Sequence, residues 1–401
     1  MICVTGIIVN VLILTYFKYF NFIIYNINLL FKGKLSLFDI ALPLGISFLT
    51  FQQIAYIVDS YRDEVPSFTF LDYFTAATFF PKLGSGPIVN YNDVITKLND
   101  KSRKIINYDN FSKGILAFAI GLSKKVVLAD NFGKISDFGH GAFASINGVE
   151  ALMTILAYTL QIYFDFSGYS DMVIGIGMMF NIEMPINFNS PYKAVDIIDF
   201  WKRWHITLTK FLTKYIYIPL GGSRRGKVRT YINIMIVFLV SGIWHGAGYT
   251  FIVWGALHGL FNMITRASKD YISKIPKIIR WFGTFVIVNI CWVYFRADSV
   301  KTANTLMSRV VTGGIGGVSA ELANSMAQIP FINILIRVLP MEAVLALFFA
   351  FSLVIVVFTK NTIERTKEFK PSWKNAVFSI LLIIYSVLSL SGISSFLYTN
   401  F

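Results

Sequence analysis

Three of the chain's four histidines, His205, His245 and His258, fall in one stretch from Asp199 to Gly259, DFWKRWHITLTKFLTKYIYIPLGGSRRGKVRTYINIMIVFLVSGIWHGAGYTFIVWGALHG. A neutral imidazole can act as a general base near neutral pH. An imidazole on an apolar face is more often a packed core residue, so its setting has to argue for chemistry. His245 has such a setting. It stands in SGIWHGAG near the end of an apolar run, and glycines at 242, 246 and 248 are expected to leave room for a ligand against the backbone. His258, in GALHG, lies further along the next apolar run and reads as structural. Spacings of 40 and 13 residues between the three match no metal-ligand motif, so no metal is expected. The chain has no G-x-S-x-G, P-loop, paired-cysteine or H-E-x-x-H pattern to compete.

These residues need elements to hold them. At 100° per residue, Trp201, Trp204, Leu208, Phe211, Leu212 and Tyr215 share roughly a 100° arc, with Lys202, Arg203, Lys210 and Lys214 opposite. The pattern predicts one amphipathic helix over 201–215, lying in the cytoplasmic interface rather than crossing the membrane, with His205 turned toward the protein. PLGG at 219–222 ends it, and the basic loop 223–229 could hold phosphates. Further back, QIYFDFSGYSDM places Asp165 and Asp171 in an apolar run, where carboxylates are either paired across helices or functional.

The composition fits a membrane protein. Hydrophobic residues make up 55% of the 401 and charged residues only 14%, too apolar for a soluble domain. The net charge of +14 sits in short loops, which points to membrane topology and away from nucleic acid. Cys3 and Cys291 lie in apolar runs and read as inert. No removable signal peptide is read at the N-terminus. Apolar runs over 2–17, 19–31, 37–58, 68–89, 111–129, 151–180, 230–246, 249–265, 278–295, 341–359 and 375–392 predict about nine to eleven membrane-embedded segments of ~20 residues. The first two are short enough to form a hairpin. FFPKLGSGPIV at 79–89, broken by Pro and Gly, suits a re-entrant piece. Lys and Arg number 24 in loops 97–113, 180–229, 266–280 and 360–374, against 4 in 130–150, 298–340 and 392–401. The first set is therefore expected in the cytoplasm and the C-terminus outside.

LPLGISFLTFQ (42–52), FFPKLGSGPIV, GLSKKVVLADN (121–131), LQIYFDFSGYSDM (160–172), NFNSPY (187–192), the paired RWH and WHG motifs and WVYFRA (292–297) resemble the membrane-bound O-acyltransferase family, in its bacterial alginate O-acetyltransferase-like branch. The resemblance covers most of the chain from about residue 40. It implies an all-α, polytopic, ring-like bundle thinned at its centre, with re-entrant pieces, cytoplasmic interfacial helices and a cytoplasmic funnel, in one domain over 1–401. Relative to the family the N-terminus is expected to be short. His245 is the implied catalytic base and His205 its support. Donor or substrate-channel candidates are Trp244, Trp201, Lys202, Arg203, Trp204, Asn187, Asn189, Tyr192, Asp165, Asp171, Arg224 and Arg225, the four basic residues standing ready to attract a donor's phosphates. The implied reaction carries acetyl from a cytoplasmic thioester, acetyl-coenzyme A, toward an extracytoplasmic polysaccharide or cell-wall glycan, with an SGNH-type partner outside. D-alanyl transfer to teichoic acid from a carrier-protein thioester is the alternative within the family. A transporter or channel with a histidine proton relay is the alternative outside it, disfavoured because the sequence has no internal repeat.

Overall fold

A computed structural model of the protein describes residues 1–66, 68–82, 86–89, 91–390 and 396–397, and every regular element among them is helical. The helices used below are α1 (Ile2–Phe31), α2 (Ile46–Tyr61), α3 (Phe70–Ala77), α4 (Tyr91–Asn99), α5 (Tyr108–Ser123), α6 (Asp130–Gly141), α7 (Gly148–Met179), α8 (Ile197–Arg203), α9 (Ile206–Leu212), α10 (Gly226–His245), α11 (Tyr249–Ala267), α12 (Lys277–Arg296), α13 (Val300–Thr312), α14 (Met341–Phe358) and α15 (Trp373–Leu388).

Four of these, α1, α10, α12 and α14, are long and apolar enough to cross a membrane. The chain is thus a multi-pass helical bundle, and other apolar runs of the sequence fall on helices that are shorter or more polar than these four: 37–58 on α2, 111–129 on α5, 151–180 on α7, 249–265 on α11 and 375–392 on α15. α2 and α15 have only 16 residues each, and the 68–89 run resolves into the short α3, a single 3₁₀ turn at Phe80–Lys82 and buried non-helical backbone at 86–89. Part of the broken FFPKLGSGPIV segment, 83–85, lies outside the described residues, as do the last four residues of the chain. The expected N-terminal hairpin is absent: 2–31 is one continuous helix whose register slips by a π turn at Thr15–Tyr19. A single lysine in an apolar run does not stop a helix that the backbone can complete within itself.

Small residues set the spacing of the two closest helix pairs. Between α5 and α7, a Cβ on Gly121 would lie 2.6 Å from the Gly168 carbonyl oxygen, and one on Gly114 would lie 2.6 Å from that of Gly175. The reciprocal positions are as tight, so the two backbones touch at two levels. With no hydrophobic drive between helices in lipid, such close approach is what holds them together. α10 and α11 do the same: a Cβ on Gly242 would meet the Phe251 carbonyl oxygen at 2.3 Å, and one on Gly255 that of Phe238 at 2.5 Å. This corrects the reading of the WHG glycines. Gly242 is spent on helix packing, and a Cβ on Gly246 would fall 2.0 Å from the Phe251 ring, so only Gly248 borders open space.

α12 packs on both α7 and α11, α15 covers α5, and α1 lies along α2. In the middle, Phe200, Trp201, Trp204, Trp254 and Trp292 join one buried cluster. Replacing Gly121 with Val would force the α5–α7 interface apart, costing about 1–3 kcal/mol of stability. The expected result is a lower unfolding midpoint in detergent, while Gly283→Ala, at a position with nothing within 4 Å, leaves it unchanged.

Candidate active site

The predicted helix over 201–215 is broken in the middle. α8 ends at Arg203, and His205 adopts the left-handed conformation, φ 44° and ψ 53°, before α9 begins at Ile206. A non-glycine residue pays of order 1–3 kcal/mol to stay there, so something must hold it. The NFNSPY segment does so. The Asn189 N–H donates to the Arg203 carbonyl at 2.9 Å, and the Ile206 N–H donates to the Asn187 carbonyl at 3.0 Å. The Asn187 side-chain Oδ1 then accepts from the Thr207 N–H at 3.3 Å, from the Thr207 hydroxyl at 3.0 Å and from His205 Nδ1 at 3.1 Å. Two donors besides the imidazole fix the amide's orientation, so His205 carries its proton on Nδ1 and its acceptor lone pair on Nε2. The apolar and basic faces survive the break. Trp201, Leu208, Phe211 and Leu212 are buried while Lys202 and Lys210 are exposed.

His245 closes α10 and is 2% exposed. Its ring meets Trp244 at 4.8 Å, Trp254 at 5.1 Å and Phe295 at 5.0 Å between centroids, with His205 at 6.5 Å. His205 is fully buried, with the Phe166 ring perpendicular to it at 4.8 Å between centroids. His258 is also at the centre: its Nδ1 accepts from Trp201 Nε1 at 3.2 Å, and Trp254 lies between it and His245. All three imidazoles of the stretch thus share one aromatic core.

The other candidates divide. Trp244, Trp201, Trp204, Asn187 and Tyr192 are buried around the histidines, Tyr192 donating its hydroxyl to the Thr159 carbonyl at 2.7 Å. Asn189 holds the break through its backbone, and Arg203 is engaged with Asp199 at 2.8 Å and the Asn189 carbonyl at 3.3 Å. Lys202 is exposed. Arg224 and Arg225 are exposed before the first residue of α10, whereas His245 is its last, so the helix length of roughly 30 Å separates them. Asp171 pairs with Lys124 at 2.6 Å and accepts from the Thr362 hydroxyl at 2.5 Å. Asp165 pairs with Lys125 at 2.7 Å, which also reaches Asp130 at 2.8 Å. Among the described residues no group of three or more His, Cys, Asp or Glu is arranged to hold a metal ion.

A cavity of about 1220 Å³ borders this core. Its charged lining includes Lys125, Asp130, Asp165 and Arg296, and it reaches Ala247, Gly248, Phe251 and Phe295. Because Phe295 also packs on His245, the cavity ends one aromatic ring from that imidazole. Sequence reading passed over Lys18, Trp254 and Phe295. Lys18 had a legible signal, as the only charged side chain in 2–31; the other two are ordinary core aromatics by type. Asn187→Ala would strand buried donors of His205 and Thr207, each worth about 1–3 kcal/mol when left unpaired. Its unfolding midpoint should fall well below that of the parent protein.

Comparison with known proteins identifies the family. A family model described as MBOAT, membrane-bound O-acyltransferase family, matches residues 5–298. A peptidoglycan O-acetyltransferase from Helicobacter pylori is 40% identical over 99% of this chain and 82% of its own length. A probable alginate O-acetylase, AlgI, from Pseudomonas aeruginosa is 39% identical over 75% of this chain, and the match spans 58% of that protein's length. A teichoic acid D-alanyltransferase from Bacillus subtilis is 26% identical over 61% of this chain and 65% of its own. With a family model over most of its length and a relative at 40% identity along nearly all of it, the chain belongs to the membrane-bound O-acyltransferase family and is a membrane-embedded acyltransferase.

Proposed function

We propose that the protein moves an acetyl group from acetyl-coenzyme A on the cytoplasmic side to a hydroxyl presented on the outer side, for O-acetylation of an extracytoplasmic polysaccharide or cell-wall glycan. The observation that carries the reading is His245, buried beside His205 and one aromatic ring from a large charged cavity. In the reaction His245 takes the proton of the acceptor hydroxyl as its oxygen bonds to the thioester carbonyl carbon. The tetrahedral intermediate collapses, the C–S bond breaks, and the leaving thiolate recovers a proton from the imidazolium. His205, oriented by Asn187, supports that charge from behind. Burial among aromatic rings keeps water from competing for the acyl group.

The basic loops are assigned to the cytoplasm, which puts the cavity, with Asp130, Gly248 and Arg296 on its wall, on the outer side. Its mix of ammonium, guanidinium and carboxylate groups suits a polyhydroxylated acceptor or a protein that hands acetyl onward, and an SGNH-type partner is proposed for that step. The O-acetyltransferase relatives are 39–40% identical and the D-alanyltransferase 26%, which favours acetyl over D-alanyl.

Purified protein incubated in turn with labelled acetyl-coenzyme A and with labelled D-alanyl carrier protein should transfer label from the first; label from the second alone would overturn the acetyl reading. Loss of a general base costs typically 10²–10⁴-fold. His245→Ala and His245→Gln should therefore reduce base-releasable acetate on the cell surface to background at normal protein levels, and unchanged acetate would remove His245 as the base.

A further inference from the structure

The last carbonyls of a helix have no partner within it, and in an apolar setting each needs a donor from elsewhere. At the end of α10 the Gly246 N–H reaches the Gly242 carbonyl at 3.3 Å, and the chain then turns extended. The next two carbonyls, of Ile243 and Trp244, are met by side chains from α1. Tyr19 donates its hydroxyl to Ile243 at 2.8 Å, and Lys18 Nζ donates to Trp244 at 2.6 Å. Lys18 also donates to the Ser47 hydroxyl at 3.0 Å, while the Trp244 indole N–H donates to the Ser47 carbonyl at 3.3 Å. Trp244 is therefore held at its backbone and at its ring, and its ring packs on His245.

The placement suits a lysine. Among the described residues no carboxylate forms an ion pair with Lys18, so its ammonium faces carbonyl and hydroxyl oxygens at the negative end of the α10 dipole. The π turn at Thr15–Tyr19 puts Lys18 and Tyr19 against consecutive carbonyls. Below them Phe22 packs on Tyr249 at 5.4 Å and Asn26 bonds the Tyr249 hydroxyl, so α1 spans the whole α10–α11 turn.

We infer that Lys18 and Tyr19 are positioning residues for His245: they complete the C-terminal end of α10 from a different helix and so fix the imidazole against its substrates. The inference rests on His245 being the base. An improperly placed base slows chemistry without weakening donor binding.

The test measures kcat and donor KM for Lys18→Met, Lys18→Arg, Tyr19→Phe and His245→Ala, using whichever labelled donor supports turnover of the parent protein. Lys18→Met should lower kcat roughly 10–100-fold with KM within about twofold, Lys18→Arg should recover most of the loss, and Tyr19→Phe should lower kcat by a smaller factor. A kcat for Lys18→Met within about twofold of the parent, or a rise in KM alone, overturns the inference. Where Lys18→Met does not accumulate, Tyr19→Phe decides, since it removes one oxygen from the same cap; an unchanged kcat then overturns it. His245→Ala separates the two failures. Its retained activity would discard the base assignment, whereas its inactivity beside a fully active Lys18→Met would discard only the positioning role.

Discussion

One amide oxygen, Asn187 Oδ1, holds the centre of this protein. It receives the His205 ring and both donors of Thr207, at the point where the backbone leaves one short helix and starts another. Without it the left-handed turn at His205 would lack its compensation, and the imidazole would lose its tautomer and its aim. The consequences extend outward. Thr207 also accepts the Ile88 N–H at 3.2 Å, so the same node ties down buried non-helical backbone at 86–89. Irregular backbone at such depth is tolerable only when protein groups satisfy it.

Charged groups in the apolar part of the chain follow a second constraint. The structure has π turns at Thr15–Tyr19, Lys124–Ala129 and Thr213–Tyr217, and each carries a lysine with a specified partner. Lys18 meets the Trp244 carbonyl, Lys124 and Lys125 meet Asp171 and Asp165, and Lys214 meets Asp59 at 2.8 Å and Glu64 at 2.5 Å. An extra residue in one turn shifts the helix face by about 100°. In the 2–31 helix and at 124–129 that shift turns Lys18, Lys124 and Lys125 to the interior, whereas Lys214, after the short α9, stays about one-third exposed. Removing one partner of the Lys124–Asp171 or Lys125–Asp165 pair would leave a buried charge uncompensated, a far larger penalty than a surface ion pair carries.

Apolar periodicity and composition made the helical membrane class legible, and residue chemistry singled out His245 and His205. The sidedness of 201–215 was also legible, because alternation of tryptophan and lysine is a local property. The break inside it was not. The sequence at Trp204–His205 contains neither glycine nor proline, and only pairing with 187–189 makes the turn affordable. The glycines of SGIWHGAG could be read as space, yet Gly242 and Gly246 are filled by the α11 backbone and the Phe251 ring. His258 reads as structural, and the fold buries it between Trp254, one helical turn away, and Trp201, which the packing of α8 on α11 brings to it.

By itself the sequence determined that the chain is apolar, helical and membrane-embedded, with its imidazoles, basic loops and buried carboxylates in recognisable places, since these depend on residue type and short-range spacing. The tertiary structure decided which of them meet. Lys18 and Trp244 are 226 residues apart, Asp165 and Lys125 are 40, and His205 and Asn187 are 18. Such contacts depend on how closely small residues let helices approach and on where buried polar groups find donors, and both are set by packing, which no local pattern specifies.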